Sequence, residues 1–192
     1  VLEGMAYAVQ LTRDPKMEKE LNEIDGLVVS AQQKDGYLNT HFTVVEPDKR
    51  WTCLNSAHEL YCAGHLIEAA VAHFRATGRR NFLDAMCRYA DYIASVFGRG
   101  KGQKRGYPGH EEIELALCKL AKVTGKKKYL DLAKYFVDER GQSPNYFLKE
   151  NPQWTPRQLE NHQALKPVRE EKNAVGHSVR AVYLYSAMAD VA

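Results

Sequence analysis

Several absences narrow this sequence. Strand-like alternation is nearly missing: only DGYLNTHFTVV, residues 35–45, reads as a turn at Asp35-Gly36 followed by a strand. No stretch approaches the ~20 apolar residues of a membrane span, and no basic leader opens the chain, so neither a membrane span nor a signal peptide is expected in these residues. Charge of one sign is scarce, with 27 Lys and Arg against 24 Asp and Glu. The one basic cluster, RGKGQKR at 99–105, is interleaved with glycine and reads as a solvated loop. Nucleic-acid binding recruits a broader basic face and is excluded as well. The four cysteines, Cys53, Cys62, Cys87 and Cys118, form no CxxC pair. They read as buried free thiols, which points to a reducing, cytoplasmic address. There is no P-loop, no dinucleotide glycine motif and no Ser/His/Asp order.

What is present is mostly helix. Apolar periodicity predicts helices over roughly 1–11, 15–31, 56–76, 80–97, 110–123, 127–139 and 177–191. An internal repeat runs through them: ATGRRNFLDAMCRYAD (76–91) matches VTGKKKYLDLAKYFVD (123–138), with Thr77-Gly78 recurring as Thr124-Gly125, 47 residues on. Each unit is a helix, a Thr-Gly turn, a basic pair and a second helix. The glycine suits a helix C-terminus that needs a positive φ. The basic pair opens a helix against its dipole, so tertiary packing is expected to fix it. Helix 56–76 carries two apolar stripes and is packed on two sides, whereas helix 80–97 has one polar face (Arg80, Asp84, Arg88, Asp91). Alternating inner and outer helices predict two concentric layers in an all-α fold. The period alone leaves a closed α/α toroid and an open HEAT- or armadillo-like array equally open. The chain begins at Val1, and its last inner helix stops where a turn should follow. The expectation is a piece of a larger helical domain, truncated at both ends. Residues 141–175 are rich in Pro, Asn, Gln and aromatics and are expected to form an ordered rim loop within that domain.

Three histidines open the three inner helices. Ser56-x-x-Glu59 reads as a capping box that places His58 in a first turn, while Gly109 precedes His110 and Gly176 precedes His177. In up-down hairpins all inner helices run the same way, so these side chains are expected to share one mouth. Near a helix N-terminus an imidazole stays neutral around pH 7, and a neutral imidazole both donates and accepts hydrogen bonds. That suits sugar hydroxyls better than phosphates. His58, Cys62 and His65 share a helix face at i, i+4 and i+7 and could present zinc ligands, but no fourth ligand has clean spacing, and a buried inner face is favoured. Of the rim acids Glu59, Glu111, Glu112 and Glu114, adjacent Glu111 and Glu112 point to different faces and make no glycosidase pair. Their first-turn positions are explained by the helix dipole. A helical-repeat module that binds carbohydrate or protein, and another α/α-toroid enzyme such as an unsaturated uronyl hydrolase or sugar epimerase, remain alternatives.

Together, HELYCAGHLIEAAVAHF, RYADYIASVFG, RGYPGHEEIELALCKL, YLDLAKYFVDERG and AVGHSVRAVYLYSAMADVA resemble the β-L-arabinofuranosidase family, glycoside hydrolase family 127. DGYLNTHF fits too, so the resemblance runs in order from about Leu2 to Ala192. It implies part of an (α/α)6 toroid, followed in the family by β-sandwich domains. It also implies a retaining exo-enzyme that releases terminal β-L-arabinofuranose from an arabinofuranoside-containing glycan. The family's nucleophile is a zinc-bound cysteine and its acid/base a glutamate, while histidines in the motifs of His58, His110 and His177 contact the sugar. The family's zinc ligands include a Glu-x-Cys pair and two adjacent cysteines, and this chain has neither. The resemblance therefore implies no catalytic residue and no metal ligand within these residues, a zinc and an acid/base glutamate beyond Ala192, and an isolated chain without activity. Oligomeric state is left open, a homo-oligomer included.

Overall fold

A computed structural model describes all 192 residues. Nine α-helices follow in order: α1 (Leu2–Thr12), α2 (Pro15–Ser30), α3 (Glu59–Thr77), α4 (Asn81–Val96), α5 (Ile113–Thr124), α6 (Lys127–Glu139), α7 (Tyr146–Glu150), α8 (Pro156–Asn161) and α9 (Ser178–Val191). α1, α3, α5 and α9 pack side by side as an inner row, and α2, α4 and α6 back them as an outer row. α3 is packed on two sides, as its two stripes require. Ile67 and Val71 enter the main core, while Ala72 and Ala76 on the other side meet Ala6, Val9 and Leu21 of α1 and α2. The edge helices keep apolar side chains exposed: Tyr7 and Leu11 on α1, Val179, Val182 and Tyr185 on α9. No helix is long and apolar enough to cross a membrane.

The repeat is visible as geometry. Gly78 and Gly125 end α3 and α5 at φ 73° and 69°, a region that costs other residues about 1–2 kcal/mol. In both turns the threonine hydroxyl donates back one helical turn, from Thr77 to the His73 carbonyl at 2.8 Å and from Thr124 to that of Leu120 at 2.7 Å. The same oxygen then accepts the amide two residues on. One member of each basic pair is neutralised within its own helix, while Arg79 of the first pair reaches Glu18 of α2 at 3.9 Å. Arg80 bonds Asp84 at 2.9 Å and Lys127 pairs with Asp131, acids at equivalent repeat positions one turn ahead.

Three local expectations are corrected. Residues 41–45 are not a strand but a π-helical turn, its amides bonding back to Thr40 and to the Asn39 side chain. With no second strand to pair with, alternation alone cannot hold an extended segment. Of its apolar residues only Phe42 is buried, and Val44 and Val45 face solvent. The Ser56–Glu59 capping box does not form. Ser56 meets Cys53 Sγ at 3.1 Å, while buried Glu59 accepts from Tyr37 OH at 2.5 Å and the Trp51 amide at 2.8 Å. The capping box of the chain is instead Thr155–Gln158, at the start of α8. Finally, only Cys87 and Cys118 are buried; Cys53 is half-buried and Cys62 exposed, because Cys62 faces a cleft beside Asn39 and Thr40.

Candidate functional site

The rim loop builds one wall of the site. α7 and α8 punctuate residues 141–175, and Tyr146, Phe147, Leu159 and Ala164 bury themselves in the main core. At the end of α7, the Glu150 carboxylate accepts the Leu54 and Asn55 amides at 2.8 and 3.1 Å and the Asn55 side-chain amide at 2.7 Å. The 54–58 segment is thereby held above α3. Gly109 donates to the Leu54 carbonyl at 2.8 Å. A Cβ at Gly109 would collide with the Asn55 backbone, so only glycine lets the strand carrying His110 lie against that of His58. Gln163 donates to the carbonyls of Val175 and His177 at 2.9 and 3.0 Å, fixing the entry to α9.

Arg140 joins these pieces from beneath. Its guanidinium is fully buried, donates to the Pro108 and His162 carbonyls at 2.8 and 2.9 Å, and faces Glu111 at 3.0 Å and Glu114 at 3.3 Å. Two buried acids and one buried base in contact form a network in which every member needs the others.

On this support the three histidines converge. The His58 and His110 rings lie 4.6 Å apart, centroid to centroid, and His110 and His177 lie 6.4 Å apart. His58 and His177 are the N-cap residues of α3 and α9, while His110 sits in an irregular lead-in, because α5 begins only at Ile113. His58 reaches its place in the left-handed region, at φ 59°. Tyr61, one turn into α3, lies 5.8 Å from His58 and 5.5 Å from His110 and extends the same wall; nothing in the spacing of the motifs had singled it out. Burial first, then the positive charge of Arg180 and the neighbouring histidines, lower the pKa of His110 to about 4. It is neutral at pH 7. Arg180 Nη2 lies 3.4 Å from His110 Nδ1, and a guanidinium only donates, so Nδ1 accepts and Nε2 carries the proton. The neutral His110 ring therefore carries its N–H donor at Nε2.

The other sequence candidates part from this site. Glu59, Glu111, Glu112 and Glu114 are all buried, and none is the solvated first-turn acid expected of a dipole-stabilising role. Glu59 serves Tyr37 and Trp51, and Glu111 and Glu114 serve Arg140. His58, Cys62 and His65 do not converge on one point. The ligand-bearing atoms that do converge are those of His65, Glu68 and Glu112.

Two layers of helical hairpins, with inner-helix N-termini gathered at a polar mouth, define part of an α/α-toroid domain. Residues 1–192 match the family described as Beta-L-arabinofuranosidase, GH127 catalytic domain, and the chain belongs to that family. Among relatives, a protein of Bifidobacterium longum subsp. longum named non-reducing end beta-L-arabinofuranosidase is 37% identical over 203 aligned residues, covering 99% of this chain and 31% of that protein. The crystal structure of a GH127 beta-L-arabinofuranosidase from Geobacillus stearothermophilus T6 superposes with TM-score 0.95 at 58% identity, over 99% of this chain and 31% of that one. A further solved structure, of a GH127 beta-arabinofuranosidase, gives TM-score 0.86 at 44% identity, over 99% of this chain and 29% of that one. The likeness settles the choice between a closed toroid and an open array. The chain spans less than a third of the length of these relatives.

Proposed function

We propose that the chain supplies one wall of the sugar site of a retaining exo-glycosidase acting on terminal β-L-arabinofuranosides, with His58, His110 and His177 holding the sugar's hydroxyls. The observation that carries this reading is the convergence of the three imidazoles at one mouth, in a chain that matches the family over its whole length. The N–H at His110 Nε2 would donate to a hydroxyl oxygen. Arg180 holds the ring in that tautomer, so the donor is in place before substrate arrives. The exposed apolar face of α9 is a surface that the rest of a toroid would cover.

A zinc-bound cysteine nucleophile belongs to this reading only through the resemblance. The residues present do not fit such a site: Cys87 and Cys118 are buried in the core, and neither Cys53 nor Cys62 has a second thiol beside it in sequence. No catalytic step is assigned to this chain, and the isolated 192 residues are expected to be inactive. Free thiols, one of them exposed, support a cytoplasmic address.

The test is arabinose release from a β-L-arabinofuranoside by the full-length gene product, by its His110→Ala variant and by the isolated chain. Release by the full-length protein, weakened about 10–100-fold by His110→Ala, supports the reading; the cost of leaving a buried hydroxyl unpaired, about 1–3 kcal/mol, sets that scale. Release by the isolated chain without added metal would overturn the assignment of catalysis to residues outside it. Sugar binding without release would instead favour a carbohydrate-binding module.

A further inference from the structure

We propose that His65, Glu68 and Glu112 form a binding site for a divalent transition-metal ion, built without thiolates and lying on the inner wall of the helical row. His65 and Glu68 stand at i and i+3 on α3 and share a face. Glu112 arrives from the lead-in to α5. Its approach depends on the bare Cα of Gly64, where a Cβ would come 2.6 Å from Glu112 Cγ and 2.9 Å from the Ile113 amide. The three ligand-bearing atoms lie within 4.8 Å of one another. His65 Nδ1 is 3.3 Å from Glu112 Oε1 and 3.9 Å from Glu68 Oε2. A tetrahedral ion with bonds of about 2.0–2.1 Å needs ligands about 3.4 Å apart. Two edges of the coordination polyhedron are thus close to formed, and small side-chain rotations would complete it.

A second observation points to a missing ligand. Glu112 is fully buried, and its carboxylate oxygens make no well-formed hydrogen bond; His65 Nδ1 approaches Oε1 only to 3.3 Å. Such a group costs free energy unless it is protonated or coordinated. Beside the trio, the Lys119 ammonium pairs with Glu68, and the Lys119 side chain is about a third exposed. On binding, the divalent ion enters and the Lys119 ammonium swings outward. One imidazole and two carboxylates suit zinc, manganese, iron(II) or cobalt better than calcium or magnesium. Three protein ligands leave the fourth position to water. An entry path exists, since the His65 side chain is 39% exposed and lines a cleft with Cys62, Asn39 and Thr40. An ion here would tie α3 to the lead-in that carries His110, two residues before Glu112. The site stands on its own geometry and does not depend on the sugar reading.

The test uses the full-length gene product, stripped with a chelator and reloaded with Co²⁺. Its variants are E112Q, in which the amide copies the protonated carboxyl, and H65A at the exposed edge. Metal content and the visible spectrum are read for each. The unmodified protein should bind one equivalent that lacks thiolate-to-metal charge transfer, and both variants should lose that equivalent while keeping any thiolate-bound metal. No thiolate-free equivalent in the unmodified protein, or the same equivalent retained in both variants, overturns the proposal. Arabinose release, assayed separately, reports on the sugar reading alone.

Discussion

The two ends of the inner helices are built by different rules. At their C-termini α3 and α5 stop in the same Thr-Gly turn, closed by hydrogen bonds spanning two to four residues. At their N-termini neither helix has a side-chain cap. There the chain is held by Glu150, about 95 residues from the amides it accepts, and by Arg140, 26 residues from Glu114 and 32 from Pro108. The regular end repeats and the irregular end does not, and the irregular end carries the histidines. Local rules make the scaffold, and long-range ties make the mouth.

The contrast can be broken most sharply at Arg140. Arg140→Met leaves Glu111 and Glu114 buried without their counter-charge and should cost about 3–5 kcal/mol, read as a fall in the urea midpoint of the full-length protein. A wild-type midpoint would show that the network does not hold the rim. His110→Ala should spare that midpoint while weakening kcat/KM about 10–100-fold. If the midpoint fell as far as the activity, His110 would be a packing residue. At the other end, Gly125→Ala should cost about 1 kcal/mol through its positive φ and leave activity alone, since a Cβ there meets nothing. The last effect is that of pH. The pKa of His110 is lowered from 6.5 to about 4 on folding, so the unfolded chain binds the proton more readily. The contribution of the neutral ring is complete above pH 6.5 and is lost as pH falls toward 4. Over that window the midpoint of His110→Asn should fall less steeply than that of the unmodified protein. Parallel slopes would mean that His110 titrates alike in both states.

What was legible in the sequence follows the same divide. The seven long helices, the Thr-Gly repeat and the three histidines are written in spacings of a few residues, and periodicity recovers them. The extended reading of 41–45 failed because a strand needs a distant partner that the chain does not supply. The capping box at Ser56 failed because Glu59 is claimed by Tyr37, 22 residues earlier. The burial of Glu111, Glu112 and Glu114 was likewise hidden, since their first-turn spacing mimics a solvated, dipole-stabilised acid and Arg140 lies far along the chain. A metal trio on a single helix face drew attention to His58 and Cys62, whereas the converging group pairs His65 and Glu68 with an acid from the next hairpin. Its trace in the sequence is Gly64, a residue without a side chain in the middle of an apolar helix.

The clamp between Glu150 and the amides of Leu54 and Asn55 also has a consequence in time. As the chain leaves the ribosome, both Thr-Gly hairpins have every residue they need before Glu150 is translated. The segment before His58 does not; its amides stay with water until nearly a hundred more residues have emerged. Chain growth thus sets an order of construction, in which the framework is raised first and the histidine mouth closes last.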